Sequence, residues 1–174
     1  VLFGAMGGVQ NSIKGFDLLR EALRHLRGQC RDLHLAIFGQ SAPKNPEDLG
    51  FPVHYLGRLH DDLSLRIVYS AADVMVIPSR QDNLPNTGVE SLSCGMPVVA
   101  FDTCGLPDIV SHQVTGYLAR PFDTEDLAQG IQWVLENHVR RQALSDAARA
   151  YAVERFSYPV VAGQYQELYA KLLL

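Results

Sequence analysis

Short apolar runs rich in β-branched residues alternate with amphipathic stretches along the chain up to the segment GYLARPFD. The runs HLAIF, VMVIP and VVAF are apolar at almost every position, as parallel strands are when helices cover both faces of the sheet. The stretches between them, such as KGFDLLREALRHLRG and DDLSLRIVYSA, repeat their apolar positions with the period of a helix. The pattern therefore predicts βα units and an α/β fold with a doubly wound parallel sheet.

Beyond GYLARPFD the pattern becomes wholly helical, in three stretches separated by polar or proline-containing breaks. Asp123 is the expected N-cap of the first stretch, because its side chain can accept hydrogen bonds from the first free amides. Aromatic residues recur at helical spacings in this part of the chain and are predicted to form packing surface: Trp133, Tyr151, Phe156, Tyr165 and Tyr169. The segment GQSAPKNPEDLGFP is predicted to be an exposed connection between two strands.

The chain has 174 residues, of which 47% are hydrophobic, so we expect a single domain over residues 1–174 with a proper core. The net charge of -4, with scattered Lys and Arg, argues against a nucleic-acid partner. Three cysteines without CxxC spacing favour reduced thiols and a cytoplasmic location. No apolar run approaches the roughly 18 residues of a membrane span. Because the chain opens on Val1 inside a strand-like run, we expect it to derive from a longer protein.

In an open α/β sheet, ligands bind at the carboxyl ends of the strands, so the residues that follow each strand are the first candidates. After the first strand, Gly4, Gly7 and Gly8 permit close approach of the backbone to a ligand. Lys14 opens the following helix, where its ammonium and the helix N-terminus could bind a phosphate together. A flexible loop with a solvated lysine is the alternative. Neither a GxGxxG fingerprint nor a P-loop is present.

The segment SRQDNLPNTGVESLSCG sets two carboxylates, Asp82 and Glu90, around the start of a predicted helix. Pro85 favours a helix start there, and the first amides, at Asn86 and Thr87, would form an anion site. The two acids can line opposite sides of one pocket and accept hydrogen bonds from hydroxyls, which suits a phosphorylated sugar or a nucleotide. A solvated aspartate and a surface helix glutamate are the alternative.

Two further turns are candidates for the floor of a nucleotide-base pocket. One follows a strand at Gly39, and the other contains Gly57, Arg58 and Leu59. Ordinary turns have the same composition, so both interpretations stay open. The six histidines lack metal-binding spacing, and the chain has no GxSxG, so neither a metal site nor a serine hydrolase is expected.

The run PSRQDNLPNTGVESLSCGMPVVAFDTCGLPDIVSHQVTGYLARPFDTEDLAQGI resembles the nucleotide-sugar-binding domain of family 4 glycosyltransferases, which are retaining enzymes of the GT-B fold. KGFDLLREAL and RFSYPVVAGQYQELY also resemble that family, so the resemblance covers nearly the whole chain. GT-B enzymes place an acceptor domain and a donor domain, both Rossmann-like, on either side of a cleft. The resemblance implies that this chain is the second, donor-binding domain and that the N-terminal acceptor domain is absent. The last helix resembles the segment that braces the first domain, and its aromatic face is expected to be partly exposed here.

The resemblance also implies roles for the candidate residues. The Glu-x7-Glu motif of the family falls on Asp82 and Glu90, so Asp82 would face hydroxyls of the transferred sugar and Glu90 would bind the ribose. The amides of Asn86 and Thr87 would hold the diphosphate, and Lys14 would neutralise its growing charge. No metal and no other cofactor is expected.

Two positions depart from the family pattern. Asp82 is one methylene shorter than the usual Glu, and Ala5 stands near the place of an Arg that usually precedes the lysine. The resemblance predicts transfer of a hexosyl group from a UDP-sugar or GDP-sugar to a glycan or lipid-linked acceptor. The alternatives are a non-catalytic nucleotide-sugar-binding module and a GT-B nucleotide-sugar epimerase. Any association with the inner face of a membrane would depend on the absent domain.

Overall fold

The computed structural model describes residues 1–4, 11–30 and 32–173. The strands are β1 (Leu2–Gly4), β2 (Leu35–Phe38), β3 (Val53–Gly57), β4 (Met75–Ile77), β5 (Val98–Phe101) and β6 (Gly116–Ala119). The helices are α1 (Phe16–Leu26), α2 (Asp62–Ala71), α3 (Asn86–Ser93), α4 (Thr124–Leu135), α5 (His138–Phe156) and α6 (Tyr158–Leu172). Short 3-10 turns lie at Ser12–Lys14 and Leu106–Asp108.

The strands described form one parallel sheet with the order β3-β2-β1-β4-β5-β6. The predicted doubly wound α/β fold is confirmed. The connection between β2 and β3 is the exposed loop that the sequence predicts. The chain order reverses between β1 and β4, which are neighbours in the sheet, and such a switch point opens a crevice at the carboxyl ends of the strands.

Strands β1, β2, β4 and β5 are buried on both faces, which explains why they are apolar at successive positions. In β5, Val99 and Phe101 join a core cluster with residues of α1 and α4, whereas Val98 and Ala100 join a second cluster with residues of α3 and α5. Each large apolar side chain buried in this way contributes roughly 1.5–3 kcal/mol to folding. Helices are therefore stabilised on both sides of the sheet, and the strand ends are held in register.

Two glycines allow the loops at the switch point to approach each other. Gly15 has φ +68°, and a Cβ there would lie 1.9 Å from the carbonyl oxygen of Pro78, directly after β4. A Cβ on Gly105 would lie 1.4 Å from the carbonyl oxygen of Asn83. Only glycine fits at either position, so the turn before α1 and the loop after β5 both pack against the segment after β4.

The three closing helices are confirmed, and Asp123 caps α4 as predicted, accepting from the amides of Glu125 (3.1 Å) and Asp126 (3.0 Å). Tyr165 and Tyr169 are 54% and 57% exposed, so their predicted packing role is wrong within this chain, whereas the partial exposure that the resemblance implies for the last helix is confirmed. The reason is that α6 packs along α5 and has no fully buried side chain of its own. Among the residues described, no helix combines the length and the hydrophobicity needed to cross a membrane.

Candidate functional site

A cleft of about 830 Å³ opens at the carboxyl ends of the central strands, at the switch point. Most candidate residues from the sequence line it: Gly4, Lys14, Gly39, Arg58, Leu59, Asp82, Asn86, Thr87 and Glu90. Gly57 is the last residue of β3 and directly precedes Arg58, but it does not itself line the cleft. Gly7, Gly8 and Ala5 lie outside the described residues. The fold thus brings residues from four separate loops into one place.

Asp82 is held on one side of the cleft by two donors. Lys14 Nζ lies 2.6 Å from Asp82 Oδ2, and Ser79 Oγ donates to the same oxygen at 3.1 Å. The side chains of Lys14 and Asp82 are only 29% and 14% exposed, so this is not the solvated aspartate of the alternative reading. An anion that enters the cleft must share the Lys14 ammonium with Asp82.

The turn that carries Lys14 is fastened to the segment after β4 by Arg80. The Arg80 amide donates to the Ile13 carbonyl at 2.8 Å, and its guanidinium donates to the Ser12 carbonyl at 2.8 Å. The guanidinium also binds both carboxylate oxygens of Asp17, at 2.8 and 2.6 Å, and this hydrogen bonding lowers the pKa of Asp17. Sequence reasoning assigned no role to Arg80, because its partner Asp17 lies 63 positions earlier.

The start of α3 lies between the two acids, as predicted. Pro85 precedes the helix with φ -64° and ψ 123°, and its carbonyl accepts from the Gly88 amide at 2.9 Å. The amides of Asn86 and Thr87 have no acceptor within the helix because they belong to its first turn. Both residues line the cleft, so the positive end of the helix faces the space beside Lys14.

Glu90 lies one turn further along α3, on the other side of the helix start. The Tyr69 hydroxyl, at the end of α2, donates to Glu90 Oε2 at 2.7 Å. Tyr69 is only 2% exposed, and burial, together with the hydrogen bond to Glu90, strongly raises the pKa of its phenol. The sequence does not reveal this contact, because an aromatic residue on the apolar face of a helix predicts core packing.

The loops after β2 and β3 form the far wall and are hydrogen-bonded together. The Gly39 amide donates to the Gly57 carbonyl at 2.8 Å, and Gly57 has φ +70°. Leu59 packs against the second core cluster, whereas Arg58 is exposed. Phe38 also lines this wall, so the wall offers an apolar surface beside backbone polar groups.

The arrangement matches the chemistry of a phosphorylated ligand with hydroxyl groups on both sides of the phosphate. A lysine and free helix amides occupy the middle, and a carboxylate that can accept from hydroxyls stands on each side. Among the described residues, no group of three or more His, Cys, Asp or Glu side chains is placed to hold a metal ion.

The chain is similar in sequence and in fold to known proteins. Residues 1–137 match the family described as glycosyl transferases group 1. The chain is 32% identical over 178 residues to a D-inositol 3-phosphate glycosyltransferase of Corynebacterium aurimucosum, covering 95% of this chain and 42% of that protein.

Solved structures of similar fold include a sucrose-phosphate synthase from Thermosynechococcus elongatus, with TM-score 0.80, 26% identity and coverage of 99% of this chain and 45% of that one. HepE of Anabaena, crystallised with UDP-glucose, aligns with TM-score 0.77 and 24% identity over 98% of this chain and 48% of that one. At this identity the similarity shows only that the fold is shared. The chain spans less than half the length of these three proteins.

Proposed function

Because the chain belongs to the group 1 glycosyl transferases, which have the GT-B fold, we propose that it is the donor-binding domain of a retaining enzyme of family 4. The full-length enzyme would transfer a hexosyl group from a UDP-sugar or GDP-sugar to a glycan or lipid-linked acceptor. The observation that carries the proposal is the placement of Asp82 with Lys14 and of Glu90 on opposite sides of the α3 N-terminus.

The donor would lie across the cleft with its diphosphate at the start of α3. The amides of Asn86 and Thr87 and the Lys14 ammonium would bind the phosphate oxygens, and they supply positive charge without a metal ion. Glu90 would accept from the ribose, and the wall formed by the loops after β2 and β3 would contact the base. Asp82 would accept from hydroxyls of the transferred sugar.

In the chemical step, the bond between the anomeric carbon and the β-phosphate oxygen breaks, and its electron pair goes to the phosphate. Lys14 lines the same cleft as the start of α3, so its ammonium would offset this charge. The acceptor hydroxyl attacks the anomeric carbon from the face that the phosphate leaves, and the phosphate takes its proton. The products are a glycoside of retained configuration and the free nucleoside diphosphate.

A second domain would complete the cleft and bind the acceptor. The exposed apolar face of α6 supports this, since Tyr165, Leu168 and Tyr169 are 54%, 48% and 57% exposed on one helix. Leu168 and Tyr165 also line a groove with Leu84, which borders the donor cleft. We therefore propose that the N-terminal acceptor domain of the full-length chain packs on α6 beside the cleft.

Calorimetric titration of this chain with UDP, GDP and their sugar conjugates tests the proposal. We expect one nucleotide to bind and expect Lys14→Ala and Glu90→Ala each to weaken it about tenfold or more, the range for hydrogen bonds to charged groups. Lys44→Ala is the matched control, because Lys44 is exposed in the β2–β3 loop and does not line the cleft.

Equal binding by the parent and both cleft variants would place the nucleotide elsewhere and remove the basis of the proposal. Transfer itself is tested with the full-length enzyme. A retained glycoside supports the proposal, an epimerised donor in the absence of acceptor indicates the epimerase, and no turnover indicates a binding module.

A further inference from the structure

Tyr69 is buried in the core, and its hydroxyl donates to Glu90, which lines the candidate site. The side chain comes from the last turn of α2, is 2% exposed, and meets Phe38 edge to face with ring centroids 5.7 Å apart. The Phe38 ring packs closely against Gly4, because a Cβ added to Gly4 would lie 2.0 Å from that ring. The phenol is therefore held by packing in the second core cluster, which joins it to Phe38 on β2 and to Leu92 on α3.

This fixed hydroxyl restrains a flexible side chain on a different helix. Glu90 has three rotatable side-chain bonds and is only partly buried, so its carboxylate would otherwise sample several orientations. The 2.7 Å hydrogen bond from Tyr69 engages Oε2 and holds the carboxylate in one of them. Ordering the group before a ligand arrives lowers the entropy cost of binding.

Among the residues that the structure describes, none donates to the other carboxylate oxygen of Glu90. Within the part of the chain that the structure describes, Tyr69 is the sole donor to the Glu90 carboxylate, and Glu90 lines the cleft. A carboxylate offers about four acceptor positions, so Oε1 and the second lone pair of Oε2 can accept from the two neighbouring hydroxyls of a ribose. The raised pKa keeps the Tyr69 phenol protonated, so it donates throughout the neutral range.

We propose that Tyr69 is a positioning residue that orients Glu90 toward the ribose hydroxyls, so that the Tyr69–Glu90 pair makes the site selective for ribonucleotides over their deoxy analogues. This inference rests on the proposed function, because it assumes that Glu90 contacts the donor nucleotide. It adds Tyr69, the buried residue through which Glu90 acts.

The test compares UDP, or GDP if that is the nucleotide bound, with its 2′,3′-dideoxy analogue by calorimetric titration. The Kd of the dideoxy analogue divided by the Kd of the ribonucleotide measures recognition of the ribose hydroxyls. We expect the parent to prefer the ribonucleotide about tenfold or more. In Tyr69→Phe the ratio should fall to about one third of the parental value or less, through weaker ribonucleotide binding with dideoxy binding unchanged.

Tyr117→Phe is the matched control, because the Tyr117 hydroxyl also donates to a carboxylate, Asp126 at 2.8 Å, but outside the cleft. It should leave the ratio at the parental value. If Tyr69→Phe weakens both ligands equally, the role of Tyr69 is structural and the inference fails.

The Glu90→Gln variant distinguishes failure of the inference about Tyr69 from failure of the role proposed for Glu90. If Glu90→Gln lowers the ratio and Tyr69→Phe leaves it unchanged, the inference alone is overturned and the donor site stands. If the parent binds neither nucleotide, or Glu90→Gln keeps the full preference for ribose, the assigned role of Glu90 fails and the inference falls with it.

Discussion

At the scale of single residues, the candidate site is governed by how its charges are paired. Lys14 is bound to Asp82 in the cleft, and the turn that carries Lys14 is bound through Arg80 to Asp17. The first pair would set the charge that the proposed diphosphate meets, and the second holds the turn that carries the lysine. Each pair supports a prediction.

Replacing Asp82 by Asn should tighten the binding of the nucleoside diphosphate. The substitution removes a negative charge beside the phosphates and frees Lys14, and a partly exposed pair of this kind is worth about 1 kcal/mol, or roughly fivefold in Kd. Calorimetric titration with the nucleotide that the parent binds measures this. Asp146→Asn is the control, because Asp146 is exposed on α5 outside the cleft. Weaker binding by Asp82→Asn would mean that Asp82 itself assists the phosphate site.

Replacing Arg80 by Ala should weaken nucleotide binding about threefold while the free energy of unfolding falls by less than about 1 kcal/mol. The pair with Asp17 is 38% and 48% exposed, which limits its contribution to stability, but its loss loosens the turn that carries Lys14. Titration and urea unfolding measure the two effects.

Arg149→Ala is the matched control, since Arg149 donates to the Ser93 carbonyl at 2.6 Å and does not line the cleft. If Arg80→Ala binds the nucleotide like the parent, the backbone bond from Arg80 to Ile13 is enough to hold the turn.

At the scale of elements, Asp126 joins the first turn of α4 to the end of β6. Its carboxylate accepts from the Tyr117 hydroxyl at 2.8 Å, the Arg120 amide at 2.8 Å and Arg120 Nε at 3.1 Å. Asp126 is 7% exposed. Burial by itself would raise the pKa of Asp126, but the hydrogen bonds from Arg120 and Tyr117 outweigh it, so the pKa is lowered.

Asp126→Asn should lower the free energy of unfolding at pH 7 by about 2 kcal/mol, because an amide cannot accept all three hydrogen bonds in the same way. In the folded chain the pKa of Asp126 is lower than its value of 3.8 in the unfolded chain. The stabilisation by the ionised carboxylate is therefore fully present above pH 3.8 and is lost as the pH falls through the pKa of the folded state. The difference between parent and variant should therefore shrink toward pH 3. Urea unfolding at several pH values measures it.

Glu125→Gln removes a neighbouring charge from an exposed side chain and is the control for this series. A difference between parent and Asp126→Asn that stays constant down to pH 3 would show that Asp126 does not stabilise the fold through its charge.

At the scale of the whole molecule, the last helix, α6, leaves an apolar face exposed. The central strands are buried on both faces, but α6 contacts α5 and presents Tyr165, Leu168 and Tyr169 to solvent. These side chains form a larger apolar surface than isolated exposed residues do, and such surfaces mark interfaces. A second domain of the full-length chain is the proposed occupant.

The double substitution Tyr165→Ser with Tyr169→Ser should change the unfolding free energy of this 174-residue chain by no more than about 0.5 kcal/mol. In the full-length protein the same change should lower the melting temperature by several degrees, because the two side chains would lose contacts with the first domain. Differential scanning calorimetry on both proteins measures this.

Leu63→Ser is the control, because Leu63 is 64% exposed on α2. If the double substitution affects the full-length protein no more than Leu63→Ser does, then the first domain does not pack on this face.

The sequence by itself determined the features that depend on neighbouring residues. Apolar runs predicted the parallel strands, helical periods predicted the helices between them, and Asp123 was identified as a cap because capping acts within one turn. The spacing of Asp82 and Glu90 around Pro85 predicted two acids beside a helix start, and the structure brings both to the same cleft.

The tertiary structure alone decided which groups these residues meet. Lys14 and Asp82 are 68 positions apart, Asp17 and Arg80 are 63 apart, and Tyr69 and Glu90 are 21 apart. No local pattern encodes such pairs, because they arise from the strand order and from the depth at which each helix packs on the sheet. The exposure of α6 was decided in the same way, since a helical period shows which side is apolar but not whether another element covers it.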